Sequence, residues 1–296
     1  MSWKKAFGWL IIAGFAASLV AVSPAFGQET TVVTPRSGVQ IDGNYKTYWL
    51  PPDVSAHGYQ IDRLVNIVHV FMAVLFVGWG IFFVYCLFKF RQRPGVQAQY
   101  APVKASVSKY GEIAVAVFEA VLLLGFSVPI WASVKNDIPK ESDNPLRIRV
   151  LGEQFAWNFH YPGADGKFGR IRPEFVNLAN NNPMGLDKEG DPNAGDDVVA
   201  GEFHIPVNRP IICDISSKDV IHSFSLPVMR VKQDAIPGMT VPVWFKAIKE
   251  GAYEVACAQL CGNNHYSMRA IMKIEPQSKF DEWMVEKSKP PEVFAD

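Results

Sequence analysis

Long uninterrupted hydrophobic runs occupy the first half of the chain, and short alternating runs occupy the second half. Two of the long runs, 64–88 and 113–134, are long enough to cross a bilayer as helices, which takes about 20 residues. The segment between them has five basic residues and no acidic residue before Glu112. Because basic loops stay on the cytoplasmic side, the pattern predicts a transmembrane helical hairpin over 63–135 with a cytoplasmic loop at about 89–111.

A third apolar run lies at the start of the chain. Lys4 and Lys5 precede it, and the small-residue sequence Ala25-Phe26-Gly27 follows it. This order predicts a secretory signal peptide over 1–27, with cleavage after Gly27; a retained membrane anchor is the alternative. Residues 28–62 are polar and predict an external arm. The start of the mature chain and everything after the hairpin then lie outside the cytoplasm.

The second half has the pattern of an all-β domain. Between 144 and 276, seven short runs rich in β-branched and aromatic residues alternate with turn residues, which predicts a sandwich or a Greek-key barrel. The runs are 146–161, 198–206, 210–216, 220–226, 241–247, 251–256 and 269–276. Residues 277–296 predict a C-terminal helix and tail, with Phe280, Trp283 and Met284 on one helix face. The predicted fold class is therefore mixed membrane and all-β.

An insertion at 177–202 interrupts the strand pattern and carries six acidic residues and one lysine. A solvated loop is one interpretation. The other is an acidic patch that steers a basic partner towards the protein, because clustered charge raises encounter rates.

Composition narrows the use of the four cysteines. The chain has 296 residues, is 49% hydrophobic and has a formal net charge of zero; no nucleic-acid partner is expected. Cys86 falls in the first membrane run and Cys213 in an apolar strand, where an inert buried thiol is expected. Cys257 and Cys261 remain, and a disulfide between them would leave the nearby His265 and Met268 without a role.

The sequence from Cys257 to Met268 has the spacing C-x3-C-x3-H-x2-M. Thiolates and a thioether favour copper, since zinc makes little use of a thioether ligand. Two cysteines suggest two coppers bridged by both thiolates, and a second imidazole is then needed. His222, in a turn before a strand, is the best candidate. The predicted ligands are His222, Cys257, Gln259 through its backbone carbonyl, Cys261, His265 and Met268.

Other metal sites fit less well. A structural zinc site would leave Met268 without a role, and a mononuclear blue-copper site needs one cysteine. A copper chaperone with this cysteine spacing is expected on an α/β fold, and the domain shows no alternating helices.

Taken together, these features resemble subunit II of the haem-copper cytochrome c oxidases. The resemblance covers the membrane hairpin, the exported domain, the cysteine loop and the segment 219–239, DVIHSFSLPVMRVKQDAIPGM. It implies a cupredoxin-like Greek-key barrel that holds the binuclear CuA centre. It also implies a bacterial inner membrane location, contact with lipid, electron transfer from cytochrome c, and assembly with subunit I, which holds haem and CuB, and with subunit III.

The resemblance also assigns roles outside the ligand set. Asp234 matches an acid that faces subunit I near the haem propionates. Glu112 matches a glutamate near the entrance of a proton channel, although an acid at that position can also cap the start of a helix. Glu119 lies deeper in the same run, where an ionisable group is functional or hydrogen-bonds to a subunit I helix.

Three positions depart from the family pattern. Gln259 replaces a glutamate that helps to bind an interface magnesium or manganese ion, which makes that site doubtful. Phe155 occupies the position of the tryptophan through which electrons enter, and Trp157 matches a second tryptophan; both are electron-entry candidates. Met239 stands where an arginine is common. These changes resemble oxidases of the caa3 type, but no C-x-x-C-H haem motif of a fused cytochrome c is present.

The expected function is the electron-entry subunit of a proton-pumping cytochrome c oxidase, with the oxygen-reducing site in another subunit. Two alternatives remain. One is the CuA subunit of a membrane nitric oxide reductase, and the other is a membrane-anchored copper-binding assembly factor.

Overall fold

A computed structural model describes residues 50–98, 100, 106–180 and 182–289. The predicted signal peptide, most of the predicted arm, part of the cytoplasmic loop and the tail from 290 lie outside the described residues. The described chain forms two compact units. One is helical and runs from Gln60 to Ser133, and the other combines residues 50–59 with the residues from Val134 onwards.

Two long apolar helical segments make up the helical unit. The first is α1 (Gly58–Lys89), and the second consists of α2 (Ser106–Leu122), a π-helical turn (Leu123–Ser127) and α3 (Val128–Asn136). Both are long and apolar enough to cross a membrane. The rings of Phe71 on α1 and Phe118 on α2 pack with centroids 4.2 Å apart. The predicted pair of apolar helices is confirmed.

The π-helical turn has a local cause in Pro129. A proline has no N–H and its ring clashes with the carbonyl four residues earlier in an α-helix, here that of Gly125. The wider turn places the N–H of Val128 on the carbonyl of Leu123, five residues back. Such single π-turns let a helix continue past a local obstacle. The apolar run therefore continues to Asn136.

The end of the polar arm is fixed to the β-rich unit. Val54 is 1% exposed, and its N–H donates to the carbonyl of Val228 at 3.0 Å. Ser55 forms an isolated antiparallel bridge with Ala247, and its hydroxyl accepts a hydrogen bond from the N–H of Gly58. A serine in this position satisfies a free amide at the start of a helix, so the same segment joins the β-rich unit and begins α1.

The described residues of the second unit contain ten strands in two five-stranded sheets. The strands are β1 (Leu146–Glu153), β2 (Ala156–Tyr161), β3 (Val198–Ala200), β4 (Phe203–Pro206), β5 (Pro210–Ser217), β6 (His222–Leu226), β7 (Val231–Ala235), β8 (Val241–Lys246), β9 (Gly251–Cys257) and β10 (Arg269–Glu275). The strand orders are β3-β2-β1-β5-β8 and β4-β10-β9-β6-β7. The β1–β5 and β4–β10 pairs are parallel, and the other pairs are antiparallel.

This arrangement confirms the predicted fold class and refines the strand count. The predicted run 146–161 is a hairpin of β1 and β2, because Gln154 and Phe155 form a turn in its middle. The predicted run 198–206 contributes β3 to one sheet and β4 to the other. Strand β7 was missed, since its polar residues Lys232, Gln233 and Asp234 have no apolar alternation.

The C-terminal helix α4 (Gln277–Ser288) packs on the β-rich unit. Phe280 is 3% exposed, and the indole of Trp283 stacks on the imidazole of His204 at 4.1 Å between ring centroids. His204 also lies between the carboxylates of Glu202 and Glu275, at 3.1 and 3.2 Å. The helix therefore covers one end of β4.

Two of the six acids of the insertion, Asp187 and Asp197, are buried. Asp197 is 1% exposed; it lies 2.6 Å from the ring of His160 and accepts the N–H groups of Gly163 and Gly169. Asp187 is 6% exposed and pairs with Arg170. Because these two carboxylates are buried and paired, they are not part of a surface patch that could attract a basic partner.

Phe203 offers a test of the core between the sheets. It is 0% exposed and packs on Phe159, Phe224 and Phe245. We expect Phe203→Ala to lower the free energy of unfolding by about 3–5 kcal/mol, because it removes a buried ring and leaves a cavity. Phe175→Ala, at a ring that is 42% exposed, is the matched control. Denaturant unfolding of the full chain in detergent measures both, and equal losses would contradict the assignment of Phe203 to the core.

Candidate metal centre

The strand pairing brings several distant segments to one end of the β-rich unit. Strand β9 ends at Cys257 and β6 begins at His222; the two strands are antiparallel, with Phe224 opposite Cys257. Strands β1 and β5 are parallel, so Glu153 and Ser217 end at the same side. The β1–β2 turn, the β5–β6 turn and the cysteine loop (257–268) therefore meet.

The predicted ligand atoms converge at this meeting point. The sulfur of Cys257 lies 3.9 Å from that of Cys261, 4.0 Å from Nδ1 of His222 and 3.2 Å from the carbonyl oxygen of Gln259. The sulfur of Cys261 lies 3.6 Å from Nδ1 of His265 and 3.7 Å from Sδ of Met268. Each cysteine thus has its own histidine and one further donor.

Three of the six candidate donor residues are buried. His222 is 0% exposed, Met268 2% and Cys261 5%, and both cysteines of the loop are free thiols. Burial, followed by the neighbouring Cys257, raises the pKa of the Cys261 thiol to about 11. A positive ion would favour the thiolate form of such a pair. The soft sulfur and imidazole donors, their burial and the two-fold grouping all fit copper.

His222 is held in place by an acid that the sequence did not single out. Its Nε2 lies 2.8 Å from the carboxylate of Asp219, which leaves Nδ1 facing Cys257. Burial opposes ionisation of Asp219, but hydrogen bonds from the N–H of Gln154, the ring of His222 and the N–H of Val220 outweigh it and lower the pKa of this carboxyl. A carboxylate behind a ligating histidine fixes its tautomer and orientation.

Two glycines let other groups approach the candidate site closely. A Cβ on Gly152 would lie 3.0 Å from both the ring of His222 and the ring of Trp157. A Cβ on Gly262 would lie 2.8 Å from Nε2 of Gln154 and 3.0 Å from the ring of Phe155, and the φ of Gly262 is +142°. Neither glycine could be singled out from the sequence, because each makes room for side chains that are distant in the chain: His222 for Gly152, and Gln154 and Phe155 for Gly262.

The two aromatic candidates for electron entry differ in exposure. Trp157 is 2% exposed and its ring lies 6.0 Å from that of His222, so it cannot contact a protein donor directly. Phe155 is partly exposed and packs against Gly262 next to Cys261. Of the two, Phe155 alone has the exposure that a surface contact requires.

Asp234 and Gln259 lie beside the ligand cluster. The carboxylate of Asp234 on β7 accepts a hydrogen bond from the hydroxyl of Ser223, the residue after His222, at 2.7 Å. It also lies 3.5 Å from Lys232. Gln259 is exposed, while its carbonyl faces Cys257. The side chain of Gln259 is therefore free to face a partner.

Glu112 lies inside α2 rather than at its start. The helix begins no later than Ser106, and its first turn has no acid. The hydroxyl of Ser108 donates to the Glu112 carboxylate at 3.0 Å. The interpretation of Glu112 as a cap of the helix start is therefore wrong. Glu119, two turns further on, is exposed on the same helix.

Comparison with known proteins identifies the family. Residues 146–275 match the family model described as cytochrome C oxidase subunit II, periplasmic domain. An alternative cytochrome c oxidase subunit 2 of Bradyrhizobium diazoefficiens is 33% identical over 242 residues, covering 81% of this chain and 84% of that protein. The chain belongs to the cytochrome c oxidase subunit 2 family. A cytochrome c oxidase subunit 2 of Synechocystis is 27% identical over 79% of this chain and 74% of its own length.

Family membership has direct consequences. The chain is a subunit of an oxidoreductase complex, anchored in a membrane with an exported domain, and the family is one of copper proteins. The donor atoms of His222, Cys257 and Cys261 lie within 4.8 Å of one another and can hold a metal ion. A crystal structure of the periplasmic domain of subunit II (CoxB) of Bradyrhizobium japonicum is 28% identical over 48% of this chain and 92% of that chain, with a TM-score of 0.34.

Thiol reactivity tests the burial of the cysteines. Since the thiolate is the reactive form, we expect the alkylation rate of Cys261 to rise about tenfold per pH unit throughout the range from about pH 7 to about pH 9. Cys213, at 0% exposure and with a pKa raised well above its usual value by burial, should react more slowly still. Peptide mass spectrometry of the metal-free full chain measures both rates. A plateau for Cys261 within this range would contradict a raised pKa.

Proposed function

We propose that this chain is the electron-entry subunit of a cytochrome c oxidase and holds a binuclear copper centre, CuA. The observation that carries the proposal is the pairing of donors. His222 and the Gln259 carbonyl face Cys257, while His265 and Met268 face Cys261. Two complete donor sets joined by two thiols 3.9 Å apart suit a pair of metals that share bridging thiolates.

Bound there, a copper pair supplies one-electron transfer from reduced cytochrome c to a haem in another subunit. The protein's own residues keep the ligands in one geometry in both redox states. Asp219 fixes the ring of His222. Trp157 and Phe224, whose ring centroids lie 5.5 Å apart, exclude water from the inner side of the site. Rigid ligands and a dry environment reduce the rearrangement that accompanies transfer.

The wider complex supplies the remaining chemistry. Reduction of oxygen, coupled to proton pumping, takes place in the subunit with haem and CuB. In this proposal, Asp234 faces that subunit from beside His222, and Glu112 receives protons from the cytoplasmic side. The proposal also includes the domain limits predicted from the sequence, cleavage of the signal peptide and two crossings of the membrane. A copper-delivery role is less compatible, because Cys261, His222 and Met268 are almost fully buried.

Copper binding gives a direct test of the ligand set. The full chain in detergent should bind two coppers and give an EPR signal from one unpaired electron shared by both. Cys257→Ser should abolish this signal, because a hydroxyl does not replace a bridging thiolate. Cys213→Ser is the matched control: Cys213 is buried in β5 among apolar residues, and its variant should keep both coppers and the signal. One zinc per chain, or an unchanged signal in Cys257→Ser, would reject the proposal.

The entry point for electrons can be tested separately. In the assembled oxidase, Phe155→Leu should slow electron transfer from cytochrome c to copper several-fold, because it removes the ring between the surface and Gly262. The later transfer to haem should not change. Phe175→Leu, at an exposed ring just before the insertion, is the control. Equal rates in the two variants, measured by flash-induced oxidation of cytochrome c, would exclude Phe155 as the entry point.

A further inference from the structure

We infer that Gln154 is a positioning residue that ties the two halves of the proposed metal centre together; the inference rests on the proposed function. Gln154 lies in the exposed turn between β1 and β2. Its backbone N–H donates to Asp219 at 2.7 Å, and its side-chain amide donates to the carbonyl of Cys261 at 2.5 Å. One residue thus contacts two loops that carry ligands.

The two contacts act on different ligands. One oxygen of the Asp219 carboxylate accepts the N–H of Gln154, and the other lies 2.8 Å from Nε2 of His222. This contact sets the histidine that faces Cys257. The side-chain contact holds the backbone of Cys261, the thiol that faces His265 and Met268. Gln154 therefore fixes the position of the cysteine loop at Cys261 relative to His222.

The contact requires a hydrogen-bond donor at position 154. The carbonyl of Cys261 is an acceptor, so its partner must donate, and a carboxylate in the same place would repel it. Gly262 permits the approach, because a Cβ there would lie 2.8 Å from Nε2 of Gln154. Exposed glutamine side chains lose conformational freedom when they are fixed. The fixed side chain of Gln154, with Gly262 leaving room for it, indicates a role in holding the loop.

Residues that orient ligands without touching a metal change its affinity and electronic properties. Loss of the Gln154 side chain should let the cysteine loop move relative to His222. The support of His222 comes from Asp219, which the backbone N–H of Gln154 holds, and this N–H remains in Gln154→Met and Gln154→Glu. The effect should therefore fall on the cysteine loop rather than on His222.

The first measurement uses the metal-free full chain in detergent. Hydrogen exchange of the backbone amides in 257–268 should be about twofold to tenfold faster in Gln154→Met than in the unmodified protein, the range expected for loss of one hydrogen bond. Gln154→Glu should be faster still, because of the repulsion. Gln277→Ala removes a glutamine bond to Asp281 on α4 and should leave the loop unchanged. Unchanged exchange in Gln154→Met would overturn the inference.

The second measurement uses the copper-loaded chain. Gln154→Met should alter the EPR hyperfine pattern and the reduction potential, while Gln277→Ala should alter neither. Faster exchange with an unchanged copper spectrum would also overturn the inference, since Gln154 would then stabilise the loop without positioning ligands. If the unmodified chain binds no copper pair, the proposed function fails, and the exchange measurement still decides whether Gln154 holds the loop.

Discussion

The antiparallel pairing of β6 with β9 is the constraint on which the candidate site depends. It sets Phe224 opposite Cys257, so the first residue of β6, His222, lies beside the cysteine loop although 35 positions separate it from Cys257. The next strand on the other side of β9, β10, begins just after Met268 and pairs Arg269 with Ala256. The ends of three adjacent strands thus bring His222, Cys257 and Met268 together.

Support for these ligands comes from the facing sheet. The parallel pairing of β1 with β5 brings the β1–β2 turn and Asp219 to the same end. Gly152 leaves room for the rings of His222 and Trp157, and the buried aromatic side chains behind them keep the space free of water. A rigid, dry set of donors is what a redox centre with small rearrangement needs, and a loose, exposed set would suit delivery of metal instead.

Several acidic residues show that the presence of a charged residue in the sequence does not determine the role of that residue in the structure. Asp187 and Asp197 fall in an acidic insertion that suggested a steering surface, but both are buried and hold loops through N–H, guanidinium or imidazole groups. In the helical unit, Glu112 was compatible with a helix cap, and the position of the helix start excluded this. In each case, burial or a helix boundary decided between two interpretations of the same residue.

The sequence by itself determined the apolar helices, the all-β character of the exported domain and most of the candidate donor residues, because hydrophobic periodicity and the spacing of Cys257, Cys261, His265 and Met268 are local properties. Tertiary structure decided the division into ten strands, the π-turn at Pro129, the burial of Trp157 and the support of the site by Gln154, Asp219 and Gly152. The Gln154–Cys261 contact joins positions 107 residues apart. No local pattern encodes such a contact, since it exists only once two sheets have packed together.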